Sequence, residues 1–245
     1  MMRRILLVAL LVAIPQFANA QQFPTDLLNL PVDGSVSAWI IRTFGLLTVL
    51  SVAPGILIMV TSFPRFVIAF SILRSGMGLS TTPSNMILTS MALFMTFYVM
   101  SPTMNRSWQE GIQPLLQNQI TEAQAVERIA EPFRTFMVAN VRDKDVALFV
   151  DIARERGQTV QLGDQIEYRV LIPAFMLSEI RRGFEIGFLI VLPFLVIDMI
   201  VASITMSMGM MMLPPTSISL PFKILFFVLI DGWNLLVGSL IRSYS

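Results

Sequence analysis

The sequence predicts an all-α membrane protein with four hydrophobic helical segments, broken by proline and glycine, and a small helical extracytoplasmic domain between segments two and three. Three observations carry that expectation. Hydrophobic residues make up 55% of the chain and charged residues only 13%, with mean hydropathy +0.72, a balance far more apolar than soluble domains show. Four apolar stretches recur along the chain. Between the second and third, from Glu110 to Arg182, sit 20 of the 33 charged residues, so that block belongs in water.

The first element is a secretory leader over residues 1–20. Arg3 and Arg4 precede the apolar run Ile5 to Ile14, and Ala18-Asn19-Ala20 supplies the small residues of a cleavage site. The run is too short to span a bilayer comfortably. Removal after Ala20 would leave Gln21 on the far side of the inner membrane, followed by an extracytoplasmic leader, 21–37.

Residues 38–104 hold the first pair of hydrophobic helices. Trp39 to Val60 is long enough to cross a bilayer, with Arg42 near its start and Pro54-Gly55 inside it. The connection around Arg65 and Arg74 has no acid from Asp33 to Glu110, which assigns it to the cytoplasmic side. Met86 to Met100 is about two-thirds of a lipid-exposed span, and Ser101-Pro102 is expected to close it.

The charged block, 105–182, reads as a helical periplasmic domain. Thr121-Glu122-Ala123-Gln124 has the pattern of a capping box, which satisfies backbone donors at a helix start, with Val126, Ile129, Ala130 and Phe133 following at helical spacing. Glu131-Pro132 is expected to end or restart that helix. Asp143 or Asp145 is expected to cap a second helix ending near Gly157. The apolar face of Phe133, Phe136, Phe149 and Val150 is too small for a core of its own, which points to packing against other copies.

Residues 183–245 hold the second pair, with a methionine-rich loop at 206–215. The third segment, Phe184 to about Met208, contains Glu185, Pro193 and Asp198; the fourth, Ile218 to Ile241, contains Pro221, Lys223 and Asp231. A charge in hydrocarbon costs at least a few kcal/mol on insertion scales, so these side chains should face protein or water. Glu179, Asp198, Lys223 and Asp231 are therefore the candidates for assembly ion pairs. Gly183 and Gly187, four residues apart, allow close helix contact. In Gly209-Met210-Met211-Met212-Leu213-Pro214-Pro215 the prominent side chains are flexible, polarizable thioethers. Copies arranged around an axis would make a soft seal, and methionine also fills gaps in membrane segments. Arg181 and Arg182 fall on the outer side in this topology, against the positive-inside trend.

The function classes narrow accordingly. With no cysteine and no histidine the chain lacks disulfides, thiolate nucleophiles, imidazole bases and most zinc-site designs, so neither an enzyme nor a bound cofactor or metal is expected. A net charge of +1 gives no field to recruit nucleic acid. Intramembrane Asp198, Asp231 and Lys223 leave open an ion-coupled secondary transporter, a reading that internal repeats would favour and the sequence does not display.

Three blocks together are more specific than any one. Leu57-Ile58-Met59-Val60-Thr61-Ser62-Phe63-Pro64-Arg65 leads to Leu73-Arg74; Pro173-Ala174-Phe175 and Ser178-Glu179-Ile180 precede Gly183-Phe184-Glu185-Ile186-Gly187-Phe188. Pro193 to Asp198, Gly209 to Pro215, Leu220-Pro221-Phe222-Lys223 and Asp231-Gly232-Trp233 extend the pattern. It strongly resembles the FliP/SctR family of type III secretion export-gate proteins, and the leader points to the flagellar branch. The resemblance implies a channel-forming subunit at the base of the bacterial flagellum, in the inner membrane, assembling as a pentameric homo-oligomer with FliQ and FliR and associated with FlhB and FlhA. Unfolded flagellar proteins would pass through the ring. It implies that Met210, Met211 and Met212 line and seal the channel, that Glu179, Asp198 and Lys223 pair between helices or subunits, and that the helices build a cone lifted largely out of the bilayer. Pro83-Ser84-Asn85 departs from the Pro-Pro-Asn run expected there, and Gln113 to Gln165 matches only loosely.

Overall fold

The computed structural model describes residues 43–45, 47–48, 51–52, 55–158, 166–209 and 214–244. It divides into two units, Met1–Ala53 and Pro54–Ser245. In the first, the described residues 43–45, 47–48 and 51–52 are helical, with the Thr48 hydroxyl donating to the Phe44 carbonyl at 2.8 Å. The signal-peptide and leader readings, and part of the first apolar segment, Arg42 and Pro54 included, lie outside the described residues.

The described residues of the second unit form helices joined by turns, with no strand among them. Residues 55–59 are helical and lead into α1, Phe63–Gly76, which has Pro64 in its first turn, where its missing N–H costs nothing. Arg65, Phe66, Ala69, Phe70 and Leu73 form its buried face. Helix α2, Asn85–Ser107, starts at Ser84, whose side chain accepts from the Ile87 N–H.

Helix α2 does not stop at Ser101-Pro102 as the sequence leads one to expect. It runs through Pro102, continues as the π-helical turn Trp108–Ile112 and ends in the short α3, Gln113–Leu116. A proline inside a helix removes one backbone bond and crowds the carbonyl four residues back. Neighbouring packing outweighs that, because Met100, Thr103 and Ser107 are buried and the Ser107 hydroxyl donates to the Ile129 carbonyl at 3.0 Å.

Helix α4, Glu122–Asn140, begins at the expected capping box, with both reciprocal bonds between Thr121 and Gln124 present. It too passes through its proline, Pro132, so the expected break at Glu131-Pro132 is absent. Helix α5, Asp143–Glu155, has Arg142 at its N-cap, without a side-chain cap bond. Asp143 and Asp145 lie in the first turn instead, where carboxylates favour the positive end of the helix dipole.

The longest element is α6, Tyr168–Ser207, at 40 residues with Pro173 and Pro193 inside. At 1.5 Å per residue it extends about 60 Å, roughly twice the thickness of bilayer hydrocarbon. It begins well before the apolar stretch at Phe184, so the charged block and the third segment share one continuous rod. Helices α7, Pro215–Leu229, and α8, Gly232–Arg242, bend by 63° at Asp231. Among the described residues, two helical stretches, Asn85–Leu116 and Tyr168–Ser207, are long and apolar enough to cross a membrane, or three if the bent pair is one span.

Two cores result. One gathers Phe66, Phe70, Leu73, Val191, Phe194 and Phe227 where α1, α6 and α7 meet. The other gathers Met137, Val146, Val150, Leu171 and Phe175, with Phe133, Phe136 and Phe149 packed against it. The apolar face of the charged block therefore closes on the first half of α6 within the same chain.

Candidate functional site

Two buried charge clusters and a line of close helix contact are the features that hydrophobic packing alone does not explain. In the first cluster, α1 brings Arg65 and α6 brings Glu179 together, both wholly buried. Arg65 Nε donates to Glu179 Oε2 at 3.0 Å and Nη2 donates to Oε1, which makes the pair bidentate. The third guanidinium nitrogen, Nη1, donates to the Ser243 carbonyl at 3.2 Å and to its hydroxyl at 2.7 Å. The Tyr244 hydroxyl donates to Glu179 Oε2, and its ring lies 3.6 Å from the Arg65 guanidinium carbon. Burial, and next the Glu179 charge, hold the Tyr244 phenol well above its ordinary range, so it stays a donor.

An ion pair taken out of water this completely survives only when its remaining donors and acceptors are met. Residues 243 and 244, at the far end of the chain, meet them. Arg65, read from the sequence as part of a cytoplasmic connection, is instead the buried partner of Glu179. The available signal was a cation in an apolar helix with no acid near it in sequence, since none lies between Asp33 and Glu110. What sequence could not supply was the partner, 114 positions away.

The second cluster joins three helices. Lys223 Nζ on α7 lies 2.5 Å from Asp198 Oδ2 on α6 and donates to the Gly76 carbonyl at the end of α1 at 3.1 Å. Asp198 Oδ1 also accepts from the Ser219 hydroxyl at 2.5 Å. The lysine side chain is 4% exposed and the aspartate 28%. Here the acid of the third segment and the base of the fourth meet inside one chain.

The glycines make the α1–α6 crossing possible. A methyl group on Gly183 would stand 3.1 Å from Ile68 and 3.2 Å from the Arg65 carbonyl; one on Gly187 would stand 2.9 Å from Ile72. Such distances leave no room for a side chain without movement, so the two helices touch at backbone range. Among the described residues no group of three or more acidic side chains gathers as a metal site would require.

The sequence profile of the FliP family matches residues 46–240, which take in Arg65, Glu179, the second cluster and the glycine crossing. The chain belongs to the FliP family. It is 79% identical to the flagellar biosynthetic protein FliP of Agrobacterium fabrum and 72% identical to that of Rhizobium meliloti, each over the full length of both chains. A more distant relative, the flagellar biosynthetic protein FliP of Bacillus subtilis, is 48% identical over 81% of this chain and 89% of its own. Nothing in these relationships favours the ion-coupled transporter.

Asp231, singled out from sequence, stands apart from the clusters. Asp231 is exposed and joins no ion pair among the described residues; it takes a left-handed backbone, φ 51°, at the bend between α7 and α8, and accepts from the Asn234 amide at 3.1 Å. Aspartate is one of the few residues that tolerate that conformation. Met210, Met211 and Met212 lie outside the described residues.

Proposed function

We propose that this FliP-family chain is a channel-forming subunit of the flagellar type III protein export gate, assembling as a ring through which unfolded flagellar proteins leave the cell. The observation that carries the reading is family membership across nearly the whole mature chain. The proposed location is the inner membrane at the flagellar basal body, with a pentamer of this chain joined by FliQ and FliR and contacted by FlhB and FlhA. Residues 1–20 are proposed as the cleaved leader, 21–37 as the extracytoplasmic segment, 38–104 and 183–245 as the two pairs of hydrophobic helices, and 105–182 as the periplasmic portion.

Physical features support assembly. Both charge clusters are closed within the chain, so their role in the ring is to fix the shape of the subunit, with the outer faces left for neighbours. Those faces are strongly apolar. Phe94 is 71% exposed on α2, Leu189 64% on α6 and Val228 68% on α7, more apolar surface than a lone soluble protein carries. Gly183 and Gly187 hold α1 against α6, and Glu179, Asp198 and Lys223 lock that arrangement. Asp231 sets the elbow between α7 and α8. The loop of Met210, Met211 and Met212 is assigned to the channel wall, where thioether side chains seal around varied passing segments without specific chemistry. No catalytic step and no bound cofactor enter this function; energy is supplied elsewhere in the apparatus.

A photoreactive residue placed at Met211 tests the reading. With an export substrate stalled in transit, illumination should link the substrate to Met211 and not to an exposed control position such as Glu122. Equal linkage at both positions, or none at Met211, refutes a channel-lining loop.

A further inference from the structure

A cavity of about 460 Å³ opens where the start of α5, the middle of α6 and the turn after α8 meet, lined by Arg142, Arg182, Glu185, Ile186 and Ser243. Its charges do not balance. Arg142 Nη1 is buried without a hydrogen-bond partner, and the acid closest to it, Glu185, stands 3.9 Å away. That carboxylate already accepts from Arg181 Nε at 3.0 Å. Arg182 joins no ion pair among the described residues, and neither does exposed Arg242, next to Ser243. The groups nearby are engaged elsewhere: Ser243 accepts from Arg65, Arg65 and Glu179 neutralise one another, and Asp145 accepts from the Ser178 hydroxyl. A buried donor without an acceptor is costly, and a carboxylate meets a guanidinium fork at two points. The cavity is built to take one from outside the subunit.

The source of that carboxylate follows from the proposed ring, on which this inference rests. A closed ring of identical copies joins two unlike faces of the subunit, and rotation about its axis keeps every residue at its own height. The group that fills the cavity therefore belongs to another flank of the same charged block. Helix α4 supplies such a flank. Its second half reaches α6, with Phe136 and Phe175 edge to face at 5.8 Å. Its first half packs instead on the end of α2 and its π-helical turn, where Ser107 donates to the Ile129 carbonyl and a methyl group on Gly111 would stand 2.5 Å from the Ile129 side chain. The outer side of that first half is bare, and Val126 is 68% exposed. Of the acids on α4, Glu122 lies in the first turn, where it favours the helix dipole, and Glu131 pairs with Arg134. Glu127 is exposed and joins no ion pair among the described residues. We propose that the Arg142–Arg182 cavity of each subunit receives the Glu127 carboxylate of the neighbouring copy, a contact that also covers Val126.

Charge exchange in the full chain, produced with its partner subunits, extracted in mild detergent and weighed by native mass spectrometry, tests the contact. The wild type should give a particle holding several copies of this chain. Arg182→Glu and Glu127→Arg should each lower the yield of that particle about tenfold, equivalent to one good charged contact, because each sets like charges against one another. Glu127 is exposed and outside both cores, so the loss in Glu127→Arg reports the contact and not the fold. The two changes in one chain should restore most of the yield, since every junction in the ring then carries the same pair reversed. Misfolding cannot imitate that recovery. Both single variants at wild-type yield, or a double variant no better than either single, would overturn this contact while a multi-copy wild-type particle leaves the ring itself standing. A wild type that carries one copy would overturn the ring and the contact together. Loss of a different subunit from the Arg182→Glu particle, with the number of copies of this chain unchanged, would assign the cavity to an acidic partner protein, against the proposal.

Discussion

Replacing Lys223 with alanine removes the only cation paired with Asp198 among the described residues and leaves two groups stranded. Asp198 would keep the Ser219 hydroxyl but lose a partner 2.5 Å away, and the Gly76 carbonyl would lose its donor. Breaking a buried pair from one side costs about 3–5 kcal/mol. Asp198 is 28% exposed, so water repairs part of the damage and the lower end, about 3 kcal/mol, is the expected loss. That corresponds to more than a hundredfold shift in the folding equilibrium. Unfolding in mixed detergent by increasing SDS, followed by helical circular dichroism, reads this directly. A double variant, Lys223→Met with Asp198→Leu, should recover about half the loss or more, because paired apolar replacements are nearly neutral. Ser219 stays satisfied there, its hydroxyl turning to the Thr216 carbonyl at 3.1 Å. A single variant that unfolds at the wild-type midpoint, or a double variant as weak as the single, would refute the claim that this pair holds the three helices.

Other predictions follow from the same geometry. Gly187→Leu should lower the thermal midpoint in detergent markedly, by about 1–3 kcal/mol of overpacking, because even a Cβ meets Ile72 at 2.9 Å; an unchanged midpoint would show that α1 and α6 separate freely. Tyr244→Phe should cost about 1–2 kcal/mol by withdrawing a donor from buried Glu179. Because the folded phenol is held well above its ordinary range, the contribution of Tyr244 is complete below about pH 10 and lost as pH climbs through the folded value. Wild-type stability should therefore decline more steeply above pH 10 than that of Tyr244→Phe, as SDS unfolding at each pH would show. Changing Met210, Met211 and Met212 together to alanine should raise ion leakage across the membrane while assembly persists; unchanged conductance would remove the sealing role.

Much of the architecture is legible in the sequence, and where reading fails the cause is tertiary. The capping box at Thr121 and Gln124 is a local device and is found where expected. Asp198 and Lys223 can be matched because an acid and a base in adjacent apolar segments have few other partners. Pro102 and Pro132 mislead, since a local rule predicts a break and packing of the flanking turns overrides it. Asp143 and Asp145 serve the helix dipole rather than the cap. The start of α6 at Tyr168 is hidden because its first half is amphipathic and covered by α4 and α5, so apolarity alone registers only the second half. Glu179 stands out in the sequence as a candidate for an ion pair, but its partner Arg65, and Ser243 and Tyr244 that complete the cluster, are brought in by topology.

The measurement that bears most directly on the central claim is the mass of the intact complex after gentle detergent extraction. The account predicts several copies of this chain in one particle with its partner subunits. A stable particle containing a single copy, with its apolar faces covered by detergent alone, would contradict it.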